Sequence, residues 1–182
     1  SSSLLLLISS PFLWHSLEKY QQSRILNLLD PFQDALGAGY QTIQSLIALG
    51  SGGLIGKGWM NSTQTQLNFL PEATTDFIFA VYSEEFGFIG VLAILSVYII
   101  FLLRLSFMAS RMQDTFSRLA TLGLIVSIFS GVLVNLGMIS GLLPIVGAPL
   151  PFFSYGGTSM VVSLVSIGII MSLYSHKSLI AN

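Results

Sequence analysis

With 182 residues, 53% of them hydrophobic and only 8% charged, the chain lacks the roughly 25% of charged residues that keeps a soluble domain in water. A net charge of −1 leaves no basic stripe for nucleic acid, and the absence of cysteine removes disulfides, zinc–thiolate sites and thiol nucleophiles together. With a mean hydropathy of +0.80, the expected class is an all-α integral membrane protein, a polytopic bundle of transmembrane helices with a large, partly helical loop on one side.

In chain order, "SSSLLLLISSPFLW" has no initiating Met and no basic n-region, so it does not read as a signal peptide. Its apolar part, residues 1–13, is shorter than the ~20 residues a spanning helix needs and reads as the end of a span whose beginning lies upstream. Residues 14–76 form a connector too long for an ordinary loop, and connectors of that length are usually functional or disordered. Two stretches argue against disorder. "SRILNLLD" and "YQTIQSLIALG" space their apolar residues helically, with Tyr40, Ile43, Leu46 and Ile47 on one face and Gln41, Gln44 and Ser45 on the other. Such helices either lie along the bilayer interface or pack on the bundle.

Three spans follow. Residues 77–103 are almost wholly apolar up to Arg104, and from Leu119 to Ser175 no residue is charged. That second stretch is divided by Pro144, Pro149 and Pro151, which break helices, so it reads as two spans over 119–140 and 154–175. The short loop 104–118 holds Arg104, Arg111 and Arg118 against Asp114 alone, which places it in the cytoplasm. By alternation, 14–76 and 141–153 face the exterior, while the tail 176–182, with His176 and Lys177, returns inside.

Among candidates for chemistry, "GSGGLIGKG" (50–58) imitates a phosphate loop and fails twice. Ser51 stands where the motif needs Gly, and Gly58 stands where it needs Ser or Thr. It reads instead as a turn whose bare backbone approaches a membrane or a ligand, with Lys57 able to hold a phosphate oxygen as a point charge. The segment "NFLPEATTDFIFAVYSEEFGFIG" (68–90) sets Glu72, Asp76, Glu84 and Glu85 against the mouth of the first long span. A carboxylate at bilayer depth costs ~2.5–3.5 kcal/mol on insertion scales and normally faces protein or a water-filled cavity. If 76–90 is one helix, Glu84 lies about 80° around from Asp76 and shares an inward face with it, while Glu85 points away. Asp76 has two readings, an N-cap or a base at the outer interface. Glu72 likewise caps a turn or orients a substrate. Asn135, alone in an apolar helix, reads as an interhelical hydrogen-bonding group. In "PFFSYGGTS" (151–159), Ser154 is a candidate N-cap, and Gly156 and Gly157 leave room for close approach.

"GKGWMNSTQTQLNFLPEATTDFIFAVYSEEFGFIG" together with "NLGMISGLLPIVGAPLPFFSYGGTS" closely resembles the SEDS family (shape, elongation, division and sporulation) over essentially the whole chain. Within it, "GKGW" and "TQTQLNFLPE" look RodA-like, the branch of rod-shape elongation, more than like FtsW, the branch of division. The resemblance implies a larger bundle of which this sequence is the C-terminal half. It also implies a peptidoglycan glycosyltransferase that polymerises lipid II, a disaccharide-pentapeptide on undecaprenyl diphosphate, at the outer face of the bacterial inner membrane. The family's essential extracytoplasmic Asp matches Asp76 in "TTDFIF"; Thr74 stands where a His often precedes the Thr–Asp pair.

On that reading Asp76 is the catalytic base. The substrate-binding candidates are Lys57, Glu72, Thr75, Glu84, Ser154, Tyr155, Gly156 and Gly157. No metal ligands are named, although a divalent cation could assist. The implied partners are lipid II, membrane lipids and a class B penicillin-binding transpeptidase, with no nucleic acid. Rival readings are a flippase for lipid-linked sugars, since buried carboxylates also suit transport, and a scaffold that recruits wall enzymes through its outer loop.

Overall fold

The computed structural model describes residues 18–30, 38–62 and 74–175. Among them the chain is all α-helix: α1 Lys19–Leu29, α2 Ala38–Ser51, α3 Ile78–Ser110, α4 Thr115–Ile139 and α5 Gly157–Ser175. The last three are long and apolar enough to cross a membrane, the expected class. At ~1.5 Å per residue even the shortest matches a hydrocarbon core of about 30 Å. Their outward side chains, such as Val97, Ile100 and Val126, are exposed as lipid contact allows. The expected end of a span at 1–13 and the tail 176–182 lie outside the described residues, as does Glu72.

Two boundaries depart from the sequence expectation for physical reasons. The helix expected to stop at residue 103 continues to Ser110, leaving only 111–114 between α3 and α4. Arg104 sits on the helix surface, and the guanidiniums of Arg104 and Arg111 lie 5.9 and 4.4 Å from the Phe107 ring centroid. Cations held this way on an aromatic face need not end a helix. α4 then starts on Asp114, whose carboxylate accepts from the Ser117 N–H and hydroxyl at 2.8 and 2.9 Å. The final helix begins at Gly157 rather than at residue 154, because Ser154 Oγ accepts from the Leu150 N–H at 2.7 Å and closes a turn instead of capping a helix.

The bundle has a core at each end. Leu105, Ala109, Ile125, Ile128 and Ile170 close the end near the arginines, while Ala48, Phe77, Phe79, Ala80, Val132, Ile139 and Leu150 close the other. α2 reaches the second core, so of the two readings of this helix packing on the bundle is the observed one. The face it uses is the opposite of the expected one. Thr42, Ser45 and Ala48 point inward, buried, while Leu46 and Ile47 are exposed. Ser45 Oγ donates to Ile139 O at 3.1 Å. Small residues let helices approach closely, and close approach, not apolar spacing, sets which face of α2 is buried.

The "GSGGLIGKG" turn docks on α3. That helix breaks at Gly87 (φ 64°, ψ −164°), a conformation that favours glycine. The break frees backbone groups, and the turn satisfies them. The N–H groups of Lys57 and Gly58 donate to Glu84 O and Glu85 O, both at 3.0 Å. Those of Phe88 and Ile89 donate to Gly53 O and Leu54 O at 2.9 and 3.2 Å. The contact needs bare α-carbons: a Cβ on Gly52 or Gly56 would stand 2.1 Å from a carbonyl oxygen of α3.

Candidate active site

Three segments meet at the N-terminal mouth of α3. The first is the turn 74–76, which leads into α3 with Phe77 in the N-cap position, so Asp76 stands one residue outside the helix in a half-buried site. The helical-wheel relation expected between Asp76 and Glu84 therefore does not apply. The second is the last part of α4, where Asn135 is fully buried. Its Nδ2 donates to Asp76 O at 2.9 Å and to Ala148 O at 2.7 Å. Rather than joining two helices as expected, this amide clamps two loops together. The third is the proline-rich connector 140–156, in which the Tyr155 N–H donates to Thr74 O at 3.0 Å. Gly147 in this connector approaches Asp76 so closely that a Cβ added there would lie 3.3 Å from Oδ2.

The remaining candidates separate into two groups. Thr75 lies in the same turn as Asp76, half-buried. Tyr155 is 80% exposed at the same mouth, and a Cβ at Gly157 would meet no atom within 4 Å, which leaves open space beside the start of α5. Gly156 O accepts the Met160 N–H at 2.9 Å and so begins the hydrogen bonding of α5. Lys57 and Glu84 are bound to each other. Lys57 Nζ lies 2.6 Å from Glu84 Oε1, and the Ser62 hydroxyl donates to Oε2 at 2.5 Å. Glu84 is fully buried. A buried carboxylate is tolerated only when paired and hydrogen-bonded, so this pair acts first as a staple for the glycine turn. A row of rings, Trp59–Phe86–Tyr82–Phe153, with centroids 4.6–5.7 Å apart, links that turn to the connector.

Sequence reasoning passed over Gly147. A glycine followed two residues later by Pro149 and then Pro151 reads as an ordinary turn residue, and only the fold reveals that its missing side chain faces a carboxylate. Among the described residues no group of three or more Asp, Glu or His side chains is placed to hold a metal ion. A divalent cation would need donors beyond this set.

An all-helical membrane protein with a carboxylate poised at the mouth of a span, flanked by two interlocked loops, is the class that the fold and site define. The family model for FtsW/RodA/SpoVE cell cycle proteins matches residues 1–179, and the chain belongs to that family. It is 51% identical over 172 residues to the peptidoglycan glycosyltransferase MrdB of Escherichia coli strain K12, covering 94% of this chain and 46% of that protein. It is also 39% identical over 161 residues to the peptidoglycan glycosyltransferase RodA of Treponema pallidum, covering 88% and 37%. Among solved structures, a chain of a peptidoglycan synthase complex that coordinates polymerization and crosslinking superposes with a TM-score of 0.76 at 30% identity, covering 97% of this chain and 48% of that one. The chain thus spans about half the length of the curated relatives it matches.

Proposed function

We propose that this chain carries the catalytic base of a peptidoglycan glycosyltransferase acting on lipid II, with Asp76 as that base. The reading is carried by one observation: in a family whose curated relatives are named peptidoglycan glycosyltransferases, a half-buried carboxylate stands at the head of an apolar span. Such a position suits a substrate with sugars in water and a polyprenyl tail in hydrocarbon. Asp76 takes the proton of the acceptor sugar's 4-hydroxyl as that oxygen bonds to the anomeric carbon of the lipid-linked donor. The anomeric C–O bond to diphosphate breaks, undecaprenyl diphosphate departs with the electron pair, and inversion yields a β-1,4 link. Glycoside hydrolases need a second carboxyl to protonate a poor alkoxide leaving group. A diphosphate leaves as a stable anion, so one base suffices. Thr75, Tyr155, Gly156 and Gly157 line the approach, and Lys57 with Glu84 holds the outer turn in place.

The membrane is the bacterial inner membrane, with the Asp76 end outside. Supporting this orientation, Arg104, Arg111 and Arg118 gather at the opposite end against one acid. The partner is a class B penicillin-binding transpeptidase, in keeping with the synthase complex that the chain resembles. A flippase would bind lipid II without joining sugars, so strand elongation by purified protein in detergent separates the two. The decisive experiment places Asp76→Asn in the full-length protein and follows polymerisation of labelled lipid II. A fall of about 10²–10⁴-fold is expected from losing a general base, and retention of most activity with normal expression would refute the assignment.

A further inference from the structure

We infer that Gly147 is a positioning residue for Asp76: its bare α-carbon reserves the space in which the carboxylate sits. This rests on Asp76 being the base and concerns what holds that base in its working orientation. The segment around Gly147 is pinned on both sides by α4. The Val146 N–H points at Met138 Sδ, 3.1 Å away, and Ala148 O accepts from Asn135 Nδ2 at 2.7 Å. Both anchors are fully buried. The same Asn135 amide holds Asp76 O at 2.9 Å, so one side chain ties the backbone of Asp76 to the backbone it faces. Neither strand of this contact can retreat without breaking a bond to a buried group, which is costly where water cannot replace it.

Gly147 has φ 72°, and a Cβ there would lie 3.3 Å from Asp76 Oδ2, inside ordinary contact. A methyl group would therefore press on the carboxylate, because the backbone on either side of the contact is held by α4. Placement errors of about 1 Å in a reacting group can cost ~10²-fold in rate. The fold supplies a matched control in the same connector. Gly141 has φ 69°, yet a Cβ there would meet only Leu46 and Thr42 at an ordinary 3.6 Å or more. Both positions impose the same backbone strain on alanine, and only one touches the base.

The test uses the full-length protein carrying Gly147→Ala, Gly147→Asn, Gly141→Ala or Asp76→Asn, each measured for turnover of labelled lipid II, KM, and melting temperature. Asparagine tolerates positive φ better than alanine while keeping a Cβ, so Gly147→Asn decides the matter if Gly147→Ala does not fold. Expected is a drop of about 10–100-fold in kcat for the Gly147 variants with little change in KM. Gly141→Ala should stay near wild-type turnover at a comparable melting temperature. Equal losses at Gly141 and Gly147, or wild-type turnover for a folded Gly147 variant, overturn the inference while leaving the base in place. Wild-type turnover in Asp76→Asn overturns the base assignment itself, and with it the role given to Gly147.

Discussion

The two ends of the same three long helices are built differently. At the arginine end the chain turns in four residues, 111–114, on one capping carboxylate and a compact cluster of aliphatic side chains. At the Asp76 end it breaks a helix, folds a glycine turn into the break, buries Glu84 and Asn135, and sends a proline-rich connector back across the mouth. Every described residue with positive φ belongs to 53–60, Gly87 or 141–152, and none to the arginine turn. Only Met60 and Phe152 among them are not glycine, and left-handed non-glycine residues, like buried polar groups, persist only where surrounding structure holds them. One end is made for closure, the other for holding groups in place.

That contrast can be broken most forcefully at Asp76. If the site end is organised for catalysis, Asp76→Asn should remove about 10²–10⁴-fold of polymerisation while thermal unfolding in detergent is nearly unchanged; a large loss of stability would make Asp76 a structural residue. Next in size, Gly56→Ala puts a Cβ 2.1 Å from Glu85 O at a φ of 86°. Strain and overpacking together should cost about 3 kcal/mol or more, read as a lowered midpoint in SDS–detergent titrations. Lys57→Met leaves a buried glutamate without its cation. Losing one partner of a buried pair typically costs 3–5 kcal/mol, and because Lys57 is one-third exposed about 2–3 kcal/mol is expected.

At the other end, Ile170→Ala empties a fully buried position. Because lipid is as apolar as the protein interior, only the packing part of the usual penalty applies, about 1–3 kcal/mol. Activity per folded molecule should hold, and its loss would unite the two ends. The smallest effect belongs to Asp114. Its hydrogen bonds from the Ser117 N–H and hydroxyl hold its carboxyl below the ordinary carboxylate range. A depressed pKa contributes stability that is complete above the unfolded value and disappears as pH falls through the lowered folded one. Wild-type and Asp114→Asn proteins should therefore differ slightly in melting temperature at neutral pH and converge in acid.

Much of this architecture was legible in advance, for reasons that particular residues make plain. Uncharged runs before Arg104 and on either side of Pro144, Pro149 and Pro151 are local signals, and α3, α4 and α5 lie on them, although α3 runs on through Arg104 to Ser110. Asp76 stood out because a carboxylate beside an apolar run has few cheap explanations. The face of α2 did not follow its apolar spacing, since Thr42, Ser45 and Ala48 pack inward and Leu46 faces out. Likewise, nothing in the local sequence around Lys57 pointed to its ion pair with Glu84, twenty-seven residues away along the chain.

Composition and order alone determined the class, placed three long apolar helices and pointed to Asp76 as the acid to test, because hydrophobicity, charge and proline act over a few consecutive residues. Tertiary structure decided what the glycines are for, which face of α2 is inside and which groups hold Asp76. Gly52 and Gly56 against α3, and Gly147 against a carboxylate, are contacts between segments far apart along the chain. A glycine reveals only that a side chain is absent; what lies in the space it leaves is settled when the chain folds.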